Sequence, residues 1–146
     1  MIIRDILILR EREVLTTPPT KIVADAISMM MQAGVGSLLV LQDGVMVGLL
    51  TERDVLRGIH DYGANGLAQP VSSMMVTEPI IGNPEDSVDY VRGVMTEHRI
   101  THLPVMDGQQ KLLGVISYHD VAKACLNAVD FENSLLKRYI KHWPEA

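Results

Sequence analysis

Two stretches of this chain place a hydroxyl and a carboxylate three residues apart behind a short apolar run. One is GLLTERD, with Thr51 and Asp54; the other is GVISYHD, with Ser117 and Asp120. A Ser or Thr followed three residues later by an acid fits a capping box. The hydroxyl accepts from the third backbone N–H of a helix, and the acid accepts from the N–H of the cap residue. The same spacing can hold a ligand. A helix N-terminus presents free N–H groups and the positive end of the dipole, where phosphate sits well. The cap hydroxyl can donate to a phosphate oxygen, and the acid can accept from both hydroxyls of a ribose. Hydrogen bonds to a charged group contribute about 1.5–3 kcal/mol each. Gly48 and Gly114, three residues before each hydroxyl, leave room for close backbone approach. Arg53 and His119 lie inside the motifs, able to point to phosphate or to solvent. Capping and binding are compatible, so both readings stand.

The elements that must position these turns occur twice. GVGSLLV (34–40) aligns with RITHLPV (99–105) at an offset of 65, and GLLTERDVLR (48–57) with GVISYHDVAK (114–123) at 66. The one-residue slip falls in a loop, where length is cheap. The repeat covers roughly 14–60 and 76–126. Each copy opens on an extended stretch, Val14–Thr17 or Val76–Ile81. A helix follows at about 21–33 or 84–97. Ile22, Val23, Ala26, Ile27, Met29 and Met30 recur at helical spacing. Asn83-Pro84-Glu85-Asp86 supplies a cap, a first-turn proline and an acid for the second helix. A hairpin comes next: Ser37–Leu41 and Val45–Leu50 around Gln42-Asp43-Gly44, then His102–Met106 and Leu112–Ile116. A last helix starts after Thr51 and after Ser117. The hairpin strands are nearly all apolar, so their sheets should be covered on both faces. About fifty residues alone cannot do that; two copies packed together can. The expectation is a mixed α/β (α+β) fold: two β-α-β-β-α repeats as a pseudo-twofold pair. By chain order the units are 1–66, 67–127 and 128–146. The last reads as an amphipathic helix, with Phe131, Leu135, Leu136, Tyr139, Ile140 and Trp143 on one stripe, packing within its own subunit or across a homodimer.

Composition narrows the function. The 146 residues carry a net charge of −5, which argues against non-specific nucleic-acid binding. An anionic ligand must therefore find positive potential locally. Cys125 is the single cysteine, so no internal disulfide can form. Apolar runs fall short of the ~18 residues a membrane span needs, and Arg4, Asp5 and Arg10 make the N-terminus a poor secretory signal. A cytoplasmic, non-membrane protein is expected. His98 and His102 make a poor metal pair, straddling a helix end and a strand. No nucleophile triad, Walker loop or carboxylate pair stands out, so no catalytic residues or metal ligands are assigned.

With the two Gly-x-x-Ser/Thr-x-x-Asp motifs in register, HLPVMD (102–107) opening the second hairpin, and the TTPPT (16–20) and IIGNPED (80–86) segments, the chain resembles a tandem pair of CBS domains, named for cystathionine β-synthase. The resemblance covers about residues 5–126. It implies two sheets packed face to face and clefts that bind adenosyl ligands: AMP, ADP, ATP or S-adenosylmethionine. It implies that Thr51 and Asp54 serve one site, and Ser117 and Asp120 the other. It places Thr16 and Thr17, and Thr77, Ile80 and Ile81, beside adenine, and His102 where relatives often carry a basic residue. Ser37 takes that place in the first copy, so unequal affinities are expected. The resemblance further implies a stand-alone regulatory, energy-sensing module and no required cofactor. A homodimer of four copies in a flat disc and an unknown regulated protein are its implied partners. The alternative is an assembly protein without ligand, whose turns are caps only. Weakest is an enzyme acting on a bound nucleotide.

Overall fold

The computed structural model describes residues 1–9 and 14–126. The expected C-terminal helix, and Glu11-Arg12-Glu13, a charged run that by sequence reads as a solvated face, lie outside the described residues. The order is α1 (Ile3–Leu9), β1 (Thr16–Thr17), α2 (Val23–Ala33), β2 (Ser37–Gln42), β3 (Val45–Thr51) and α3 (Glu52–Tyr62). Short 3-10 turns at Gly63–Ala68 and Val71–Ser73 lead to α4 (Val88–His98), β4 (His102–Met106) and β5 (Leu112–Ser117). A further helix, α5, runs from 118 to the last described residue, 126. The fold is thus mixed α and β, built from two copies of one helix-flanked hairpin.

β2 and β3 pair antiparallel from Ser37↔Thr51 to Gln42↔Val45. The two-residue turn between them has positive φ at both Asp43 (53°) and Gly44 (78°), which matches the twist of the flanking strands. Alternation along the strands then sorts the side chains. Leu38, Val40 and Leu50 pack with Val23, Ala26 and Val55 under α2 and α3. Leu39 and Leu49 turn to the other face and meet Val115 of the second copy, flanked by Met46 and Leu112. That second face joins the copies, as the double-sided apolar pattern led us to expect.

The second sheet is thinner than expected. In the first copy β1 runs parallel to β2, and the Leu39 N–H donates to the Leu15 carbonyl at 3.1 Å. The equivalent residue in the second copy is Pro104, which has no N–H. The anticipated strand Val76–Ile81 therefore reduces to one bridge at Val76 and a second just past its end, at Gly82. Val76 pairs with Leu49 of the first copy, and Gly82 pairs with Val105. The start of α4 also shifts. Asn83–Asp86 closes on itself, with Asn83 Oδ1 accepting from Glu85 N–H and Asp86 Oδ2 from Asn83 N–H, each at 2.9 Å. The helix begins only at Val88, where Ser87 caps the Tyr90 N–H at 3.1 Å. The local turn satisfies its own donors and so competes with a helical start.

The copies exchange their leading segments. Ile3 and Ile6 of α1 are buried with Val91, Met95 and Leu103 of the second copy. Val71 and Met74, which precede the second copy, are buried in the core of the first. Matching backbone bonds anchor the exchange: Val88 N–H donates to Met1 O (3.1 Å) and Val23 N–H to Gln69 O (2.8 Å). This accounts for the two motif glycines. A Cβ on Gly48 would stand 2.7 Å from Met75 Sδ and 2.9 Å from Val76 O; one on Gly114 would stand 3.0 Å from Leu7 Cδ2. The close approach these glycines permit is the chain's own crossing segment, not a ligand.

Candidate functional site

Both hydroxyl-acid turns form helix caps. Thr51 Oγ1 accepts from Asp54 N–H at 3.3 Å, while Thr51 N–H and Oγ1–H both donate to Asp54 Oδ2 at 3.0 Å. Ser117 and Asp120 repeat the pair, with Asp120 N–H donating to Ser117 Oγ at 3.0 Å and Ser117 N–H to Asp120 Oδ2 at 2.9 Å. The next N–H in each helix is also spoken for. Glu52 N–H donates to Gly36 O and Tyr118 N–H to Thr101 O, which ties each helix start to the head of its neighbouring strand. Asp54 is only 7% exposed, a buried carboxylate that must be partnered. Its Oδ2 belongs to the cap, and its Oδ1 lies 3.6 Å from Arg57 Nη1.

Each turn opens on a crevice that crosses between copies. Thr51 and Asp54 line one of about 240 Å³, whose opposite wall is the second copy's helix-to-strand turn, His98–His102. Ser117 and Asp120 line one of about 430 Å³, whose opposite wall is the first copy's turn, Gly34–Ser37. The offset of 65 maps these walls onto each other, so the crevices are pseudo-symmetric. Drug-sized ligand pockets span roughly 300–1,000 Å³; the Ser117 crevice falls inside that range and the Thr51 crevice just beneath it. A third groove, about 1,080 Å³, lies between the hairpin tips and the connecting segment.

Arg53 lines the Thr51 crevice and His119 the Ser117 crevice. His102 lines both. Thr77 and Ile81 line the third groove rather than the Ser117 crevice. Ile80, exposed Thr16 and buried Thr17 line none of the three. Among the described residues, three charged ones in the crevice walls escaped the sequence reading. Arg57 follows Asp54 by one helical turn, a spacing that could have announced it. Glu52 lies inside the first motif yet lines the crevice of the second. Arg99 aligns with Gly34, and a charged residue opposite a helix-ending glycine was a signal in plain view. Among the described residues no group of three His, Cys, Asp or Glu is placed to hold a metal ion.

The family model for the CBS domain matches residues 3–61 and 71–127. A CBS domain-containing protein of Bacillus subtilis, YhcV, is 36% identical over 110 residues, which is 75% of this chain and 77% of that one. The crystal structure of a CBS-domain containing protein from Agrobacterium tumefaciens superposes with a TM-score of 0.81 at 31% identity, covering 85% of this chain and 98% of that one. The CBS domain pair of protein MJ0100, solved in complex with 5′-methylthioadenosine and S-adenosyl-L-methionine, shares the fold at 18% identity. Its TM-score is 0.76, over 88% of this chain and 98% of that one.

Proposed function

Because the chain belongs to the CBS-domain family and carries two such domains in tandem, we propose that it is a regulatory module whose inter-copy crevices bind adenosyl ligands. One observation carries this reading. Both hydroxyl-acid turns face crevices whose far walls come from the other copy, so a ligand in either would touch both copies at once. In that reading Asp54 and Asp120 accept from ribose hydroxyls, and Thr51 and Ser117 hold a phosphate or its neighbour. Thr16, Thr17, Thr77, Ile80 and Ile81 stay assigned to the adenine side on the family resemblance, with Arg53, His102 and His119 beside the ligand's tail. A bound ligand shifts how the copies pack by no more than its differential affinity for the two arrangements. The protein passes that shift to a partner without doing chemistry on the ligand. A cytoplasmic homodimer belongs to the same reading; no described helix is long and apolar enough to cross a membrane. The family resemblance, together with the S-adenosyl-L-methionine held by the MJ0100 fold relative, sets the ligands to try. Calorimetric titration with AMP, ATP and S-adenosylmethionine tests it: binding of at least one supports the module, and no heat with any at millimolar concentration rejects it.

The complete capping boxes favour a second reading. Each motif explains itself without a ligand, as in an assembly protein whose crevices stay empty. Nucleotides would then leave the melting temperature unchanged.

A further inference from the structure

The cap of α3 spends its own donors. Thr51 N–H and Oγ1–H both donate to Asp54 Oδ2, Asp54 N–H donates to Thr51 Oγ1, and Glu52 N–H donates to Gly36 O. A phosphate in the Thr51 crevice must therefore draw most of its hydrogen bonds from side chains. Arg53, Arg57 and Arg99 all line that crevice. A guanidinium is a planar fork of donors that matches phosphate oxygens.

Arg57 differs from the other two in what it faces. The cap uses Asp54 Oδ2, and Arg57 Nη1 lies 3.6 Å from Oδ1, the oxygen the cap leaves over. The partners sit in unlike settings: the Asp54 side chain is 7% exposed and the Arg57 side chain 63%. A carboxylate so buried needs compensation. The arginine is mostly in water, and its nitrogen stands just past hydrogen-bonding distance, so the pair holds it loosely. Ribose hydroxyls donating to Oδ1 would take over the compensation of Asp54 and release the guanidinium. In a mononucleotide the phosphate then lies one ribose ring away, within the swing of an arginine side chain.

Resting on the adenosyl-binding reading, we infer that Arg57 sets the phosphate specificity of the Thr51 crevice. Without ligand it balances Asp54; with a nucleotide bound, the ribose takes Oδ1 and Arg57 turns to the phosphate. A nucleoside without phosphate also takes Arg57's place at Oδ1 but gives the guanidinium no new partner. The crevice therefore favours a phosphorylated adenosyl compound over its unphosphorylated counterpart.

The test is calorimetry on the full chain with AMP and adenosine, using wild type, Arg57→Ala, Arg57→Lys and Asp54→Asn. Arg57 is an exposed helical residue and alanine is the best helix former, so that variant is expected to fold. Asp54→Asn identifies the crevice as the AMP site it removes. At that site Arg57→Ala should shrink the preference for AMP over adenosine at least tenfold. Arg57→Lys, which keeps the charge and loses the fork, should restore part of it. Equal weakening of AMP and adenosine in Arg57→Ala would leave Arg57 as a brace for Asp54 and overturn the inference. So would an unchanged affinity for AMP, or AMP binding that survives intact in Asp54→Asn; in each case adenosyl binding itself stands. If neither compound binds wild type, the functional reading falls and the role of Arg57 falls with it.

Discussion

Arg99 occupies in the second copy the place that Gly34 occupies in the first. Each closes a helix with positive φ and donates its N–H to two carbonyls a turn back: Met95 and Thr96 for Arg99, Met30 and Met31 for Gly34. The hydrogen bonding is the same, and only the strain differs. A left-handed L-residue costs roughly 1–2 kcal/mol, of which the extra unfolded-state freedom of glycine returns about 0.4–1 kcal/mol. Arg99→Gly should therefore raise stability by up to ~1.6 kcal/mol in urea denaturation. A marked loss of stability would mean the guanidinium has structural partners that outweigh the strain.

The caps give a second prediction. Thr51→Ala should lower stability by about 1 kcal/mol, and Thr51→Ser by much less. Because Thr51 and Asp54 satisfy each other, Thr51→Ala and Asp54→Ala together should cost less than the sum of the single changes. Additive costs in a double-mutant cycle would show that the box is not a unit in solution.

Two glycines should respond in opposite directions. A Cβ at Gly48 meets the Val76 carbonyl, which is backbone and cannot swing away. Gly48→Ala should destabilise by roughly 1–3 kcal/mol, as overpacking does. Gly93, inside α4, has nothing within 4 Å of the same built atom. Gly93→Ala should stabilise by about 0.5–1 kcal/mol through helix propensity. Equal thermal shifts for the two variants would contradict the crossing of Met75 and Val76 over β3.

The exchange of leading segments predicts where damage from the N-terminus travels. Ile3 is fully buried among second-copy residues. Ile3→Ala should cost ~2–5 kcal/mol, and native-state hydrogen exchange should show protection lost first in α4 and β5. Earlier loss in β2 and α2 would place α1 on the wrong copy.

Much of this arrangement could be seen in the residues. The apolar alternation of Leu38-Leu39-Val40 announced a sheet covered on both faces, and Asp43-Gly44 announced its tight turn. The Thr51 and Asp54 spacing announced a cap. What escaped was non-local. Nothing near Ile6 or Met75 says which copy it will pack on, because both cores are aliphatic and accept either. The consequence of Pro104 appears only when Leu39, its counterpart, is seen donating to Leu15. His102 read as a residue of one site because its neighbours in sequence belong to one copy, whereas the crevices draw on both. The turn at Asn83 looked like a helix start because Asn, Pro and Asp favour both; the bonds that Asn83 and Asp86 make within the turn hold it as a turn, and the bridge from Ile2 to Ser87 lies directly after it.

The most direct measurement is AMP titration into wild type and into an Asp54→Asn, Asp120→Asn double variant, a change that keeps side-chain volume while removing both carboxylates. The account predicts saturable binding to wild type and at least a hundredfold weaker binding to the double variant, with its helical content intact. Equal affinity for the two proteins would contradict it.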